Sequence, residues 1–312
     1  MRYAWLSVGV AVATMAIKGI AFGLTRSVGI LSDALESVVN LTAALLAVRV
    51  LRESSKPPDK EHTFGHGKAE YFSSLFEGIL IGIAAVSIIV TALNRLLKPE
   101  PIANIPLGLA FALGASLLNF FVAGLLLRVG RENRSIALEA NGEHLMSDVW
   151  TSMGILVGLG AFAITNWQPL DSLIALAVAV KISRTSFQLI RRSVQGLMDS
   201  SLPESQIQAI GAILNRYREQ GIDFHALRTR QAGAHSFVTV HVITPGDWSV
   251  KRGHDLLEAI EGEIHDAVPL CTIFTHLEPR EDPRTWEDTE IEEGILDSAE
   301  TKIKDPPGTE SR

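Results

Sequence analysis

The amino-acid sequence predicts a membrane all-α domain of six transmembrane helices followed by a small cytoplasmic α+β domain. Three observations lead there. Apolar residues concentrate before Leu197, whereas charge dominates afterwards. The apolar part breaks into windows of about 20 residues, the length a helix needs to cross hydrocarbon. Basic residues fall mainly on one side of those windows, as they do in oriented membrane proteins. With 47% hydrophobic and 20% charged residues in 312, the chain is less polar than a soluble domain of this length.

Six windows qualify, at about 4–24, 28–51, 72–97, 104–128, 137–165 and 169–194. The first has no small-residue cleavage site and is followed by further apolar spans, so it is expected to be a helix rather than a signal peptide. Arg49, Arg52, Lys56, Lys60, Lys68, Arg128, Arg131, Arg134, Arg184, Arg191 and Arg192 lie on one side; Arg26, Arg95 and Lys98 lie on the other. The richer side is expected to be cytoplasmic, with both termini there. From about 203 the periodicity changes to helix, strand, strand, helix, strand, an α+β sandwich of about 80 residues. The expected domains are 1–198, 199–283 and an acidic, disordered tail over 284–312. Cys271 is the single cysteine, which excludes an internal disulfide and a cysteine-rich zinc site.

Polar residues inside the apolar windows carry the functional signal. Asp33, Glu36 and Asn40 share one face of the second helix; His144 and Asp148 share one face of the fifth. Charges at membrane depth are costly and usually face a bundle interior or a cavity. Two helices with donors four residues apart can surround one point with four ligands. Glu36, Asn40, His144 and Asp148 then suit a borderline-soft divalent ion. The alternative is interhelical hydrogen bonding without any guest. Asp33 is expected to pair with Lys18 at similar depth. Glu77, Asn119 and Lys181 are further intramembrane polar residues with a smaller claim to direct function.

The segments "SVGILSDALESVVN", "EHTFGHGKAEYFSSLFEG", "EANGEHLMSDVWTS" and "LRTRQAG" resemble the cation diffusion facilitator family over residues 1 to about 280. The resemblance implies a homodimer whose protomers each have six spans and a ferredoxin-like, metallochaperone-like cytoplasmic domain. It also implies proton-coupled export of a divalent metal. Zinc is the default substrate; iron(II), cobalt, cadmium and manganese are the alternatives. By position, Glu36, Asn40, His144 and Asp148 form the transport site, and Asn40 departs from the family's commoner aspartate. Metal and protons would compete for these ligands, with His144 and Asp148 as proton carriers and alternating access by rocking helices.

Asp59, His62 and His66 of the second loop, where Gly65 and Gly67 let the backbone turn tightly, match a second, exposed metal site, the alternative being a polar loop that only docks the third helix. Lys68 and Asp199 match an ion pair joining the two domains. Six of the nine histidines lie in the soluble domain. By family position His241, His254, His276 and Glu278 are expected to form a cytoplasmic metal site that regulates transport; His225 and His265 rank behind them. The expected setting is a multi-pass protein of a bacterial inner membrane, with no organic cofactor. A membrane-anchored metal sensor without transport is the leading rival. No His-Glu-x-x-His motif supports an enzyme, and no basic patch with aromatics supports nucleic-acid binding.

Overall fold

The computed structural model describes residues 2–25, 28–97, 106–165 and 169–286. The acidic segment from 287 onward, expected to be disordered, lies outside the described residues. The chain forms two compact units, Met1–Leu197 and Met198–Arg312.

The first unit holds six helices: α1 (Arg2–Thr25), α2 (Val28–Ser54), α3 (Ala69–Leu97), α4 (Pro106–Glu132), α5 (Ile136–Thr165) and α6 (Pro169–Leu197). Each expected window falls on one of them. Among the described residues, Arg2–Ile20, Ala69–Asn94, Leu113–Glu132 and Ser172–Leu197 are long and apolar enough to cross a membrane. α2 and α5 are the two helices that carry the polar ligand candidates.

Side-chain packing sorts the six helices into two groups. One cluster draws Ala4 and Val10 from α1, Val48 and Leu51 from α2, Val122 and Leu126 from α4, and Ala137 and Leu145 from α5. A second joins Ile81 and Ala85 of α3 to Ile182 and Leu189 of α6, with Ala140 of α5 between. Glycines set the spacing in both. A Cβ on Gly78 or Gly82 of α3 would lie 2.9 Å from the Ile190 side chain or 2.8 Å from Ser186 Oγ of α6. Small residues thus let helices approach where lipid supplies no hydrophobic drive.

The α4–α5 connection is tight for identifiable reasons. Arg134 adopts φ 53°, its amide donates to Arg131 O, and the Ser135 amide donates to Gly130 O. Those two bonds form a Schellman motif, which closes α4. Ser135 then caps α5 by accepting from the Leu138 amide at 3.4 Å. A Cβ on Gly130 would meet the Glu139 amide nitrogen at 2.8 Å, and one on Gly142 would meet that of Leu127 at 3.0 Å. Two backbones in such contact hold α5, and the ligands it carries, at a set height beside α4.

The second unit contains α7 (Glu204–Arg218), β1 (Asp223–Ala232), β2 (His235–Thr244), α8 (Val250–Ala267) and β3 (Cys271–Pro279). The sheet order is β1-β2-β3, with β1–β2 antiparallel and β2–β3 parallel. The helix–strand–strand–helix–strand order read from the sequence is therefore the observed one. Both helices cover one sheet face, burying Val238, Val240 and Val242 against Ile210, Leu214, Ile260 and Ile264. The neighbouring strand positions, His241 among them, point to the other face.

Cys271 is buried at the start of β3, and burial pushes its thiol up to about 11 from 9.0. The fold favours the neutral thiol, so this contribution to stability is present below pH 9 and is lost as pH rises towards 11. At pH 8 the native thiol is expected to alkylate about a hundredfold more slowly than in denaturant, where its thiolate fraction is ordinary. Iodoacetamide labelling followed by mass measurement checks this; equal rates would contradict it.

Candidate functional site

Deep in the first unit, three of the four expected transport ligands touch. Asn40 of α2 donates through Nδ2 to Asp148 Oδ2 of α5 at 2.6 Å, and its Oδ1 stands 2.7 Å from His144 Nε2. An amide oxygen only accepts, so Nε2 carries the proton in this arrangement. Asn40 and His144 are 7% and 8% exposed, and Asp148 is partly buried. The α-helical repeat puts 144 and 148 on one face of α5, opposite Asn40. The side chains of Glu36 and Asp33 lie outside the described residues, and with them the expected Lys18–Asp33 pair. Glu77 and Asn119 are buried on α3 and α4, whereas Lys181 rests its ammonium over the Trp150 ring.

Asp59, His62 and His66 form a second cluster, with one ligand atom from each mutually within 4.8 Å. Asp59 Oδ1 accepts from the backbone amides of His62 (2.7 Å) and Glu61 (2.9 Å), an Asx turn. The His62 amide, with Glu61's behind it, holds this carboxyl below its usual range. Oδ2 then faces His66 Nε2 at 3.3 Å. Gly65, at φ 83°, makes the reversal that stacks His66 under His62, ring centroids 4.4 Å apart. The set of two imidazoles and a carboxylate suits a divalent transition metal.

The third cluster occupies the sheet face that the helices leave uncovered. Strand register aligns His225, His241 and His276 as partners across β1, β2 and β3. Ring centroids are 4.8 Å apart for the first pair and 4.9 Å for the second. Glu278 serves all three: Oε2 is 2.7 Å from His225 Nε2, and Oε1 is 3.2 Å from His241 Nδ1 and 3.6 Å from His276 Nε2. One ligand atom each from His225, His241 and Glu278 lie mutually within 4.8 Å. His225 is 2% exposed and its buried Nδ1 has no hydrogen-bond partner.

Of the soluble residues expected to bind metal, His241, His276 and Glu278 come together. His254 stands on α8, exposed, 3.9 Å from Glu258. His225, ranked behind on sequence, joins the cluster from β1, against His241 and Glu278. His265 instead approaches the Cys271 carbonyl at 3.3 Å. The two residues expected to pair between domains each have partners nearby. Lys68 Nζ donates to Leu197 O at 3.3 Å, and Asp199 accepts from Arg230 at 3.3 Å.

Comparison with known proteins identifies both domains. Residues 4–198 match the cation efflux transmembrane domain, and residues 202–280 match the cation efflux protein cytoplasmic domain. An uncharacterized transporter of Synechocystis sp. is 50% identical over 91% of this chain and 92% of its own. The cation-efflux pump FieF of Klebsiella pneumoniae is 32% identical over 89% of this chain and 92% of its own. Among solved structures, the metal-bound C-terminal domain of the CzcD transporter from Thermotoga maritima is 25% identical, covers 25% of this chain and 91% of that one, and gives a TM-score of 0.23. The chain is an integral membrane protein and belongs to the cation diffusion facilitator family of metal cation efflux transporters.

Proposed function

We propose that the protein, as a homodimer with cytoplasmic termini, exports a divalent transition-metal cation in exchange for protons, with zinc the leading substrate. Glu36, Asn40, His144 and Asp148 hold the ion. The observation that carries this reading is the Asn40–His144–Asp148 contact between α2 and α5. Three candidate ligands from two helices are in contact there, with Asn40 between His144 and Asp148.

The chemistry follows from the proton positions. A ligand nitrogen must be bare and a carboxylate ionised before either can bind metal. The Nε2 proton that His144 lends to Asn40 must therefore move before that nitrogen can take a cation. Two carboxylates, one neutral imidazole and one amide would enclose a divalent ion with no net charge, the least costly load at membrane depth. Opened to a more acidic side, the same groups take protons and release the metal.

His225, His241 and Glu278 form the core of the proposed cytoplasmic regulatory site, with His276 beside them and His254 outside it. Asp59, His62 and His66 form a loading site in the loop between α2 and α3.

In proteoliposomes, wild-type zinc flux is expected to rise with an opposing pH gradient and to change the internal pH. Asp148→Ala should lower it by about tenfold or more, a loss of at least about 1.4 kcal/mol. Flux with a constant internal pH would refute proton exchange. Metal binding without any flux would favour a membrane-anchored sensor instead.

A second test concerns the soluble cluster. In an Asp59→Ala, Asp148→Ala background, His225→Ala is expected to weaken zinc binding by about tenfold or more, while His254→Ala changes it by less than about threefold. Titration calorimetry measures both, and the reverse ranking would overturn the assignment.

A further inference from the structure

The acidic group at the start of α3 has no part in any of the three clusters, yet its contacts reach both ligand-bearing helices. Glu70 is 6% exposed. Its Oε2 accepts from Ser135 Oγ at 2.6 Å and from the Ala137 amide at 3.3 Å, at the first turn of α5. Its Oε1 lies 3.2 Å from the hydroxyl of Ser54, the last residue of α2, which shares its proton with Leu51 O. A carboxylate at a helix N-terminus satisfies amides that have no partner within the helix, and the helix dipole favours it there.

Geometry gives the contact a mechanical meaning. Ser54 lies about 21 Å along α2 from Asn40, and Ala137 about 10 Å along α5 from His144, at 1.5 Å per residue. α2 and α5 are thus joined at two heights, by Glu70 at one end and by the Asn40–His144–Asp148 contact inside. A metal that takes over those inner ligands breaks their bonds to one another. The outer tie uses none of them and survives loading. Glu70 also belongs to α3, whose core cluster is built with α6 and Ala140 of α5 and is distinct from the cluster shared by α1, α2, α4 and α5. Two residues earlier, Lys68 donates to Leu197 O at the end of α6.

We propose that Glu70 is a positioning residue, the fixed joint at which the α3–α6 pair holds the ends of α2 and α5 while the ligands between them open and close around the cation. The proposal rests on the exporter reading and adds the joint to it. The role needs acceptors and a fitting shape; it does not need a charge. Glutamine at position 70 can still accept from Ser135 and Ala137 through its oxygen and donate to Ser54. Alanine can do neither.

Zinc transport by the full-length protein in proteoliposomes tests this. Glu70→Ala should lower the maximal rate about tenfold or more with KM within about twofold of wild type, because no metal ligand is touched. Glu70→Gln should restore the rate to within about threefold of wild type. A Ser54→Ala, Ser135→Ala variant should fall with Glu70→Ala, and combining all three changes should cost no more than Glu70→Ala alone. A wild-type rate for Glu70→Ala, a change confined to KM, an inactive Glu70→Gln or multiplying losses would each overturn the proposal. Should Glu70→Ala not fold, Ser135→Ala decides alone: a reduced maximal rate at an unchanged Tm supports the joint, and a wild-type rate overturns it. Asp148→Ala in the same vesicles separates the two readings. If neither it nor the wild type transports zinc, the exporter reading fails; if it transports like wild type, the transport-site assignment fails; if it stops while Glu70→Ala does not slow, only the joint fails.

Discussion

The amide of Asn40, held between an imidazole and a carboxylate inside an apolar bundle, constrains everything around it. It accepts on one side and donates on the other, so a single side chain of α2 bonds to two polar side chains of α5. An unpartnered polar group in hydrocarbon costs several kcal/mol. A rotation of α2 by one residue, about 100°, would turn Asn40 away from both of its partners on α5. The register of these two helices is therefore set by hydrogen bonding, and the rest of the unit has to be compatible with it.

That compatibility is visible in how α5 is held. Its start is capped by Ser135 immediately after the Schellman turn of α4, so its axial position follows from α4. Gly130 and Gly142 let the two backbones touch, which leaves little room for rotation. Glu70 then fastens the same N-terminus to α3. Three independent contacts converge on the first two turns of α5, the segment just before His144. The opposite arrangement holds for α3 and α6, where glycines and a Ser186 hydroxyl donated to Gly78 O give close packing on a separate surface.

Much of this was legible in the sequence. Long apolar windows gave six helices because a helix in lipid has a required length and a required composition. Spacing of four residues gave the Asn40 and His144–Asp148 faces because the helical repeat is stiff. The soluble cluster was read less well, for a definite reason. The Ala232–His235 pairing that closes the β1–β2 hairpin would, by simple counting, set Ala226 opposite His241. A bulge between His225 and Arg228 takes up one extra residue and sets His225 there instead. Ala226 absorbs the change at φ 56°, a conformation no sequence rule assigns to alanine. His254 stands apart from the cluster because the face of α8 that packs on the sheet is set by Gly253, whose missing Cβ makes room for Leu277.

The three clusters also differ in what positions their side chains. In the loop, Asp59 is exposed and its carboxylate is held by two backbone amides. On the sheet, Glu278 supports the imidazoles from one edge. In the membrane neither device is available, since there is no water and no free backbone amide in a helix interior. A carboxylate at position 40 would stand beside that of Asp148, and two such groups at close range cannot both remain ionised. They would have to share a proton and rearrange whenever the cation left. An amide avoids that conflict, because it bonds to a carboxylate through its nitrogen and to an imidazole through its oxygen. Asn40 thus joins both neighbours through one side chain and has an oxygen to offer a metal.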